Sequence, residues 1–208
     1  RRDGLGAKIC QAPIAYLREL QPEYRHTAYL TGNGSYKLFL LNCQILKMKK
    51  YNIIYADPAW SYPESGSKAK VHDRHYKCMT LTDICELPVK NITDDDCLLF
   101  LWVTMPRIVD AQKVIEAWGF TYKTVAFNWI KENKRAVNKS LFDENPIDDF
   151  LGLGSWTRSN AEICLLAVKG KPKKESSSVR QLVITPIEKH SKKPDCVRDL
   201  IVHLAGDK

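Results

Sequence analysis

The sequence predicts an α/β protein, a mainly parallel sheet with helices on both faces. Three observations predict it. From Tyr51 onward, strand-like and helix-like stretches alternate along the chain. Residues 97–103, "CLLFLWV", are an uninterrupted apolar run of strand length, as expected where both faces of a strand are covered. Pro106 to Trp118 then places Ile108, Ala111, Val114, Ile115 and Trp118 at helical spacing, with Gly119 to end the helix. In open sheets of this kind, ligands sit beyond the carboxyl ends of the strands.

Residues 1–47 settle into no period. They contain a helix-like stretch (Ile14 to Leu20), a Gly-Asn-Gly turn at 32–34 and a short apolar run from Leu38 to Leu41. The first methionine is Met48, directly before "KKYNIIYADPAW", where a compact domain would begin. The expected division is therefore an N-terminal extension over 1–47, upstream of the true start, and a folded domain over 48–208. The competing expectation is a genuine N-terminal element packed on the core. Asn52 to Ala56 reads as a strand, and Leu81 to Leu87 as a short helix opened by Thr80 or Thr82, with Asp83 in its first turn. Strands follow at Thr121 to Ile130, Glu162 to Val168 and Gln181 to Ile184, and the last element is a helix from Pro194 to Leu204. Lys131 to Asp149 and Gly170 to Ser178 read as polar loops. In the second loop, Lys171, Lys173 and Lys174 could meet nucleic-acid phosphate, although a charged loop is ordinarily only solvated.

Composition narrows the function classes. At 44% hydrophobic residues the 208-residue chain can bury a real core. It has no apolar run near the ~18 to 20 residues of a membrane span and no signal-peptide series, so a cytoplasmic protein away from membranes is expected. Seven cysteines form no C-x-x-C pair, which points to neither a disulfide framework nor a metal site. The net charge is +8, but 1–47 hold 7 Lys/Arg against 3 Asp/Glu, leaving 25 against 21 for the rest. That remainder is compatible with a polyanionic partner without requiring one.

The chemistry concentrates at Asp57-Pro58-Ala59-Trp60, where the first predicted strand of the domain ends. The exocyclic amine of a nucleobase is a poor nucleophile because its lone pair is delocalised into the ring. A carboxylate and a main-chain carbonyl, each accepting one amine hydrogen, would favour a pyramidal nitrogen and turn its lone pair toward an electrophile. Asp57 offers the carboxylate, the Pro58 carbonyl the second acceptor, and Trp60 a ring to stack on an unstacked base. The bland alternative is a turn that Asp-Pro starts after a strand, with a tryptophan that merely packs.

The sequence resembles the MT-A70 family of S-adenosylmethionine-dependent adenine N(6)-methyltransferases, in particular its short bacterial and phage members. The likeness rests on six blocks in family order: "ADPAW" (56–60), "HYKCMTLTDI" (75–84), "LLFLWVT" (98–104), "GFTYKTVAFNWIK" (119–131), "GLGSWTRSNAEICLLAVKGKPK" (152–173) and "HSKKPDCVRDLI" (190–201). It covers residues 49 to about 205. The resemblance implies a Rossmann-like methyltransferase fold in permuted order, with the catalytic strand first and much of the cofactor half last. It also implies that Asp57 and the Pro58 carbonyl bind the adenine amine, that Ala59 and Trp60 complete the catalytic tetrapeptide, and that Tyr76 helps close the pocket. Lys193 would reach the methionine carboxylate of S-adenosylmethionine, with Asp57 also facing the cofactor. Trp156, Arg158, Asn160 and Glu162 would border the substrate. DNA is expected ahead of RNA as the nucleic-acid partner, and no metal is implied. His72 and His75, beside Lys68, Lys70 and Arg74, would suit a basic lid near phosphate, with an ordinary exposed loop as the plainer reading.

Two departures from the family pattern bear on activity. The family usually has a second proline where this chain has Ala59, and its ring would hold the preceding residue extended. Relatives also continue past "HLAGDK" into a further strand and a "GW..WGN" segment on the cofactor side. The methyltransferase domain thus looks incomplete at its C-terminus, and the strand at 52–56 is expected to have an open edge. Truncation, a second subunit in a homo- or heterodimer, or replacement by "YKLFLLNCQIL" at 36–46 would each account for it. Low activity is expected of this polypeptide alone. The reading from another class is a catalytically inactive methyltransferase-like domain that binds nucleic acid or a partner.

Overall fold

The computed structural model of the chain describes residues 27–31, 50–61, 78–133, 152, 156–189 and 191–206. In order these form β1 (Thr27–Thr31), β2 (Tyr51–Asp57), α1 (Leu81–Cys85), β3 (Thr93–Val103), α2 (Ile108–Ala117), β4 (Thr121–Glu132), β5 (Ala161–Lys169), β6 (Leu182–Pro186) and α3 (Cys196–Ala205). Single 3₁₀ turns occupy Val89–Asn91 and Met105–Arg107. The strands make one sheet in the order β1-β2-β3-β5-β4-β6. Neighbours are parallel except at β5, which is antiparallel to both β3 and β4. No helix among the described residues is long and apolar enough to cross a membrane.

Alternation along the strands divides the core in two. Ile54, Ala56, Leu99, Leu101 and Val103 face one side, where they pack with Ile84 of α1 and with Ala111, Val114 and Ile115 of α2. Ile53, Tyr55, Phe100, Trp102, Phe127 and Trp129 face the other, against Val197, Ile201 and Ala205 of α3. The run "CLLFLWV" is therefore continuous because each successive side chain feeds a different core.

Local chemistry sets the helix ends. The Thr80 hydroxyl accepts from the Asp83 N–H while the Asp83 carboxylate accepts from the Thr80 N–H, a reciprocal cap on α1. At the end of α2, Gly119 adopts φ +82°, its N–H donates to the Glu116 carbonyl and the Phe120 N–H donates to Ile115. This is a Schellman closure, which needs the left-handed conformation that glycine adopts freely.

The structure changes two expectations and locates the basic loop. β1 pairs in parallel with β2, from Thr27 beside Ile53 to Thr31 beside Asp57, so five residues of the N-terminal segment occupy the edge that the sequence left open. Residues 36–46, the expected replacement, lie outside the described residues. Lys131 and Glu132 belong to β4 rather than to a loop, because the strand keeps its pairing with β6 through Glu132 and Pro186. Finally, the loop after β5 leaves the sheet beside the start of β3, where the Lys171 N–H donates to the Asp96 carboxylate at 2.7 Å. Lys171 therefore lies at the opposite end of the sheet from Asp57, because β5 runs against β2 and β3.

Candidate active site

β2 ends at Asp57, and alternation with Ile53 and Tyr55 directs its side chain to the α3 face. Lys193, in the segment leading into α3, places Nζ 2.9 Å from Asp57 Oδ2 and 3.0 Å from Glu162 Oε2. The other oxygen of Glu162, Oε1, lies 2.5 Å from Lys131 Nζ. Glu162 is on β5 and Lys131 on β4, with Trp129 directly across from Glu162. Two carboxylates and two ammonium groups thus form one chain with no net charge. Their side chains are only 13–22% exposed, so the attractions are screened far less than on an open surface.

Aromatic rings form the floor beneath these charges. Lys193 Nζ lies 5.5 Å from the Trp102 ring and Lys131 Nζ 5.1 Å from the Trp129 ring. The two indoles meet edge to face with centroids 6.3 Å apart, and Trp102 Nε1–H donates to the Tyr55 hydroxyl at 2.7 Å. A ring floor cannot hydrate the charges, so they depend on one another.

The consequences differ from group to group. Burial pushes the Asp57 carboxyl up from its ordinary 3.8, against the pull of Lys193, and the Glu162 charge pushes the same way. Burial also acts to raise Glu162, but Lys193 and Lys131 together outweigh it and hold this carboxyl below its ordinary 4.5. Lys193 is raised despite burial because Asp57 and Glu162 flank it, so it remains a cation. The cluster thus separates its two carboxyls, Glu162 favouring its charged form more than an ordinary carboxyl and Asp57 less.

Neighbouring lysines have separate tasks. Lys192 points outward and bridges Glu188 at 2.5 Å and Asp195 at 2.6 Å, which staples the segment before α3. Ser191 has φ +61°, a strained conformation for a residue with a side chain, two positions before Lys193.

The tetrapeptide makes a tight turn. The Trp60 N–H donates to the Pro58 carbonyl at 2.9 Å, a three-residue γ-turn around Ala59, and the Met79 N–H donates to the Ala59 carbonyl at 2.8 Å. The Pro58 carbonyl thus has one lone pair engaged and a second to offer. Trp60 departs from expectation: its indole is 4% exposed, packs in the α1/α2 core and donates Nε1–H to the Trp102 carbonyl at 2.9 Å. The turn directs this side chain inward, so in this conformation it anchors the motif and is not a stacking platform.

Of the other residues singled out from the sequence, Glu162 joins Asp57 and Lys193 directly. Asn160 borders the cluster through its carbonyl, which accepts the Lys131 N–H at 2.8 Å. Trp156 is 99% exposed and Arg158 is exposed as well, both outside the ion chain. Tyr76, His72, His75, Lys68, Lys70 and Arg74 lie outside the described residues. Sequence reasoning missed Lys131, Trp102, Trp129 and Tyr55. A signal for Lys131 existed, since Phe127, Trp129 and Lys131 alternate, but the following polar residues read as loop.

Comparisons with known proteins converge on one group. A family model described as MT-A70 matches residues 51–208. The chain is 34% identical over 178 residues to the type II methyltransferase M.MunI of Mycoplasma sp, covering 76% of this chain and 69% of that protein. It is 25% identical to a putative N(6)-adenosine-methyltransferase MT-A70-like protein of Medicago truncatula, over 88% of this chain and 27% of the relative. It is 24% identical to the human N(6)-adenosine-methyltransferase catalytic subunit METTL3, over 75% and 24% respectively. The chain therefore spans about a quarter of the length of these plant and human relatives.

Proposed function

This chain belongs to the MT-A70 family of methyltransferases, and on that premise we propose that it methylates the exocyclic N(6) amino group of adenine in DNA, in the cytoplasm, with S-adenosylmethionine as donor. The observation that carries the reading is the end of β2, where the Asp57 carboxylate, followed directly by the Pro58 carbonyl in the chain, is held by the Lys193–Glu162–Lys131 cluster. Asp57 accepts one amine hydrogen and the free lone pair of Pro58 accepts the other, which orients the nitrogen lone pair. After transfer the nitrogen is cationic and acidic, and its proton passes to Asp57 or to water. Lys193 keeps Asp57 in place throughout, because it is itself held by Glu162.

The residues suit the donor. Lys193 remains charged within a buried cluster and can turn an N–H toward a carboxylate. Thr104, which follows β3 at the same end of the sheet, has a buried hydroxyl oxygen with no protein partner among the described residues, ready for a polar ligand. S-adenosylmethionine supplies an electrophilic methyl group on sulfonium sulfur.

Greater likeness to a bacterial type II methyltransferase than to the N(6)-adenosine enzymes favours DNA. The names of the plant and human relatives support RNA as the second reading. Labelled methyl transfer to unmethylated DNA and to RNA, by this chain and by Asp57→Ala, tests both. Incorporation into DNA that falls at least about 100-fold in the variant is expected. Equal incorporation by both proteins excludes Asp57 from the reaction, and incorporation into RNA alone replaces the substrate.

A further inference from the structure

Ala59 lacks the proline ring that the family pattern noted above would place here, so any restraint on the direction of the Pro58 carbonyl has to come from its neighbours. Arg107 lies in the 3₁₀ turn after β3, and its own N–H donates to the Thr104 carbonyl at 2.8 Å. Its guanidinium reaches the residue that follows the tetrapeptide: Nε donates to the Ser61 carbonyl at 2.5 Å and Nη2 to the Ser61 hydroxyl at 3.1 Å. The remaining arm, Nη1, donates to the Asp110 carboxylate of α2 at 2.9 Å. Asp110 also receives Lys113 at 3.3 Å, so its carboxylate anchors the fork from the helix side. Both Arg107 and Asp110 are about one-fifth exposed, a setting in which a planar, three-bond fork is directional. On the inner side the Trp60 indole is fastened to Trp102 and the Ala59 carbonyl to Met79.

We infer that Arg107 is a positioning residue for methyl transfer: by holding Ser61 it fixes the turn at Pro58–Trp60, doing with hydrogen bonds what a proline ring at position 59 would do with a fixed φ. The backbone at position 59 is compatible with that ring. Among described non-glycine residues only Ser191 has positive φ, so the γ-turn at Ala59 is of the inverse kind, whose φ matches that of proline. The Ala59 N–H has no acceptor among the described residues, so proline would remove no bond. The effect on catalysis rests on the reading of Pro58 as an amine acceptor, whereas the effect on the turn does not.

The test compares the full chain with Arg107→Met, Ala59→Pro and the double variant. Hydrogen exchange at the Trp60 amide, the donor of the γ-turn, reports the turn directly. Arg107→Met should speed that exchange about tenfold while core amides of β3 and β5 stay protected, and Ala59→Pro should restore it. Methyl transfer should fall about tenfold in kcat, with KM for the donor unchanged, and recover in the double variant. Should Arg107→Met fail to fold, Arg107→Lys keeps the charge beside Asp110 and loses the fork, with the same direction expected. Unchanged Trp60 exchange, or a loss that Ala59→Pro does not restore, overturns the inference. Exchange that follows expectation in a protein that transfers no methyl group to any nucleic acid leaves the clamp standing and removes the functional reading instead.

Discussion

Removing the Lys131 ammonium would leave Glu162 with Lys193 as its one cation among the described residues, and Lys193 would be drawn from Asp57 toward Glu162. Lys131 also acts on Asp57 at longer range, with a lowering effect. In Lys131→Gln both carboxyl groups should therefore titrate at higher pH than in the parent chain. Carbon-13 NMR of labelled Asp and Glu carboxyls reads this directly, and two unshifted curves would show that the chain of charges is not coupled. Asp57→Asn tests the opposite side of the same balance. A carboxyl raised in the folded state stabilises the fold below its ordinary pKa and loses that contribution as pH rises through the folded value. At neutral pH an uncharged amide of the same shape should thus match or exceed the parent in urea denaturation while transferring no methyl group. A clear loss of stability would mean that the Asp57–Lys193 pair contributes more than its desolvation costs.

Two glycines at element ends look alike in sequence and differ in what surrounds them. A Cβ at Gly119 would stand 3.2 Å from Lys90 Cε, the far end of a flexible side chain that can move aside, so Gly119→Ala should cost about 1 kcal/mol for its positive φ. At Gly170, which has φ +66°, a Cβ would stand 2.3 Å from the Asp95 carbonyl and 2.2 Å from the Asp96 carboxylate. The Asp95 carbonyl is backbone, two residues before the pairing of β3 with β5 begins at Cys97, and cannot swing aside as a side chain can. Gly170→Ala should therefore lower the melting temperature by several times as much as Gly119→Ala, and equal shifts would show that the β5 exit is soft. The sequence marked Gly119 as a helix stop because apolar periodicity ends there. Nothing local marked Gly170, whose constraint comes from a strand more than 70 residues away in the chain.

For the whole molecule, the N-terminal segment matters through one strand. β1 covers the outer edge of β2, whose residues Ile53 to Ala56 are buried. A chain begun at Met48 would expose that edge's hydrogen-bonding groups and should self-associate in size-exclusion chromatography. If it stays monomeric and melts with the parent, the domain is complete from Met48 and β1 is an accessory. Acid should weaken the intact fold in a definite window. The contribution of Glu162 is present in full above its ordinary 4.5 and is lost as pH falls through its lower folded value, while Asp57 works in the opposite sense.

What the sequence determined by itself was local and periodic: the apolar runs of β2 and β3, the amphipathic spacing of α2 with its glycine stop, and an acid and a proline at a strand end. The family likeness of six ordered blocks added the expected reaction. Only the tertiary structure decided that residues 57, 131, 162 and 193 meet, because strand order and the reversed direction of β5 bring them together and no local pattern encodes either. It alone turned the Trp60 ring inward and fitted Arg107 to Ser61, since the partners of both lie on β3 and in the turn beyond it. Periodicity records which face of an element is buried, whereas the partner across that face is chosen by hydrogen bonds and packing between segments far apart in the chain.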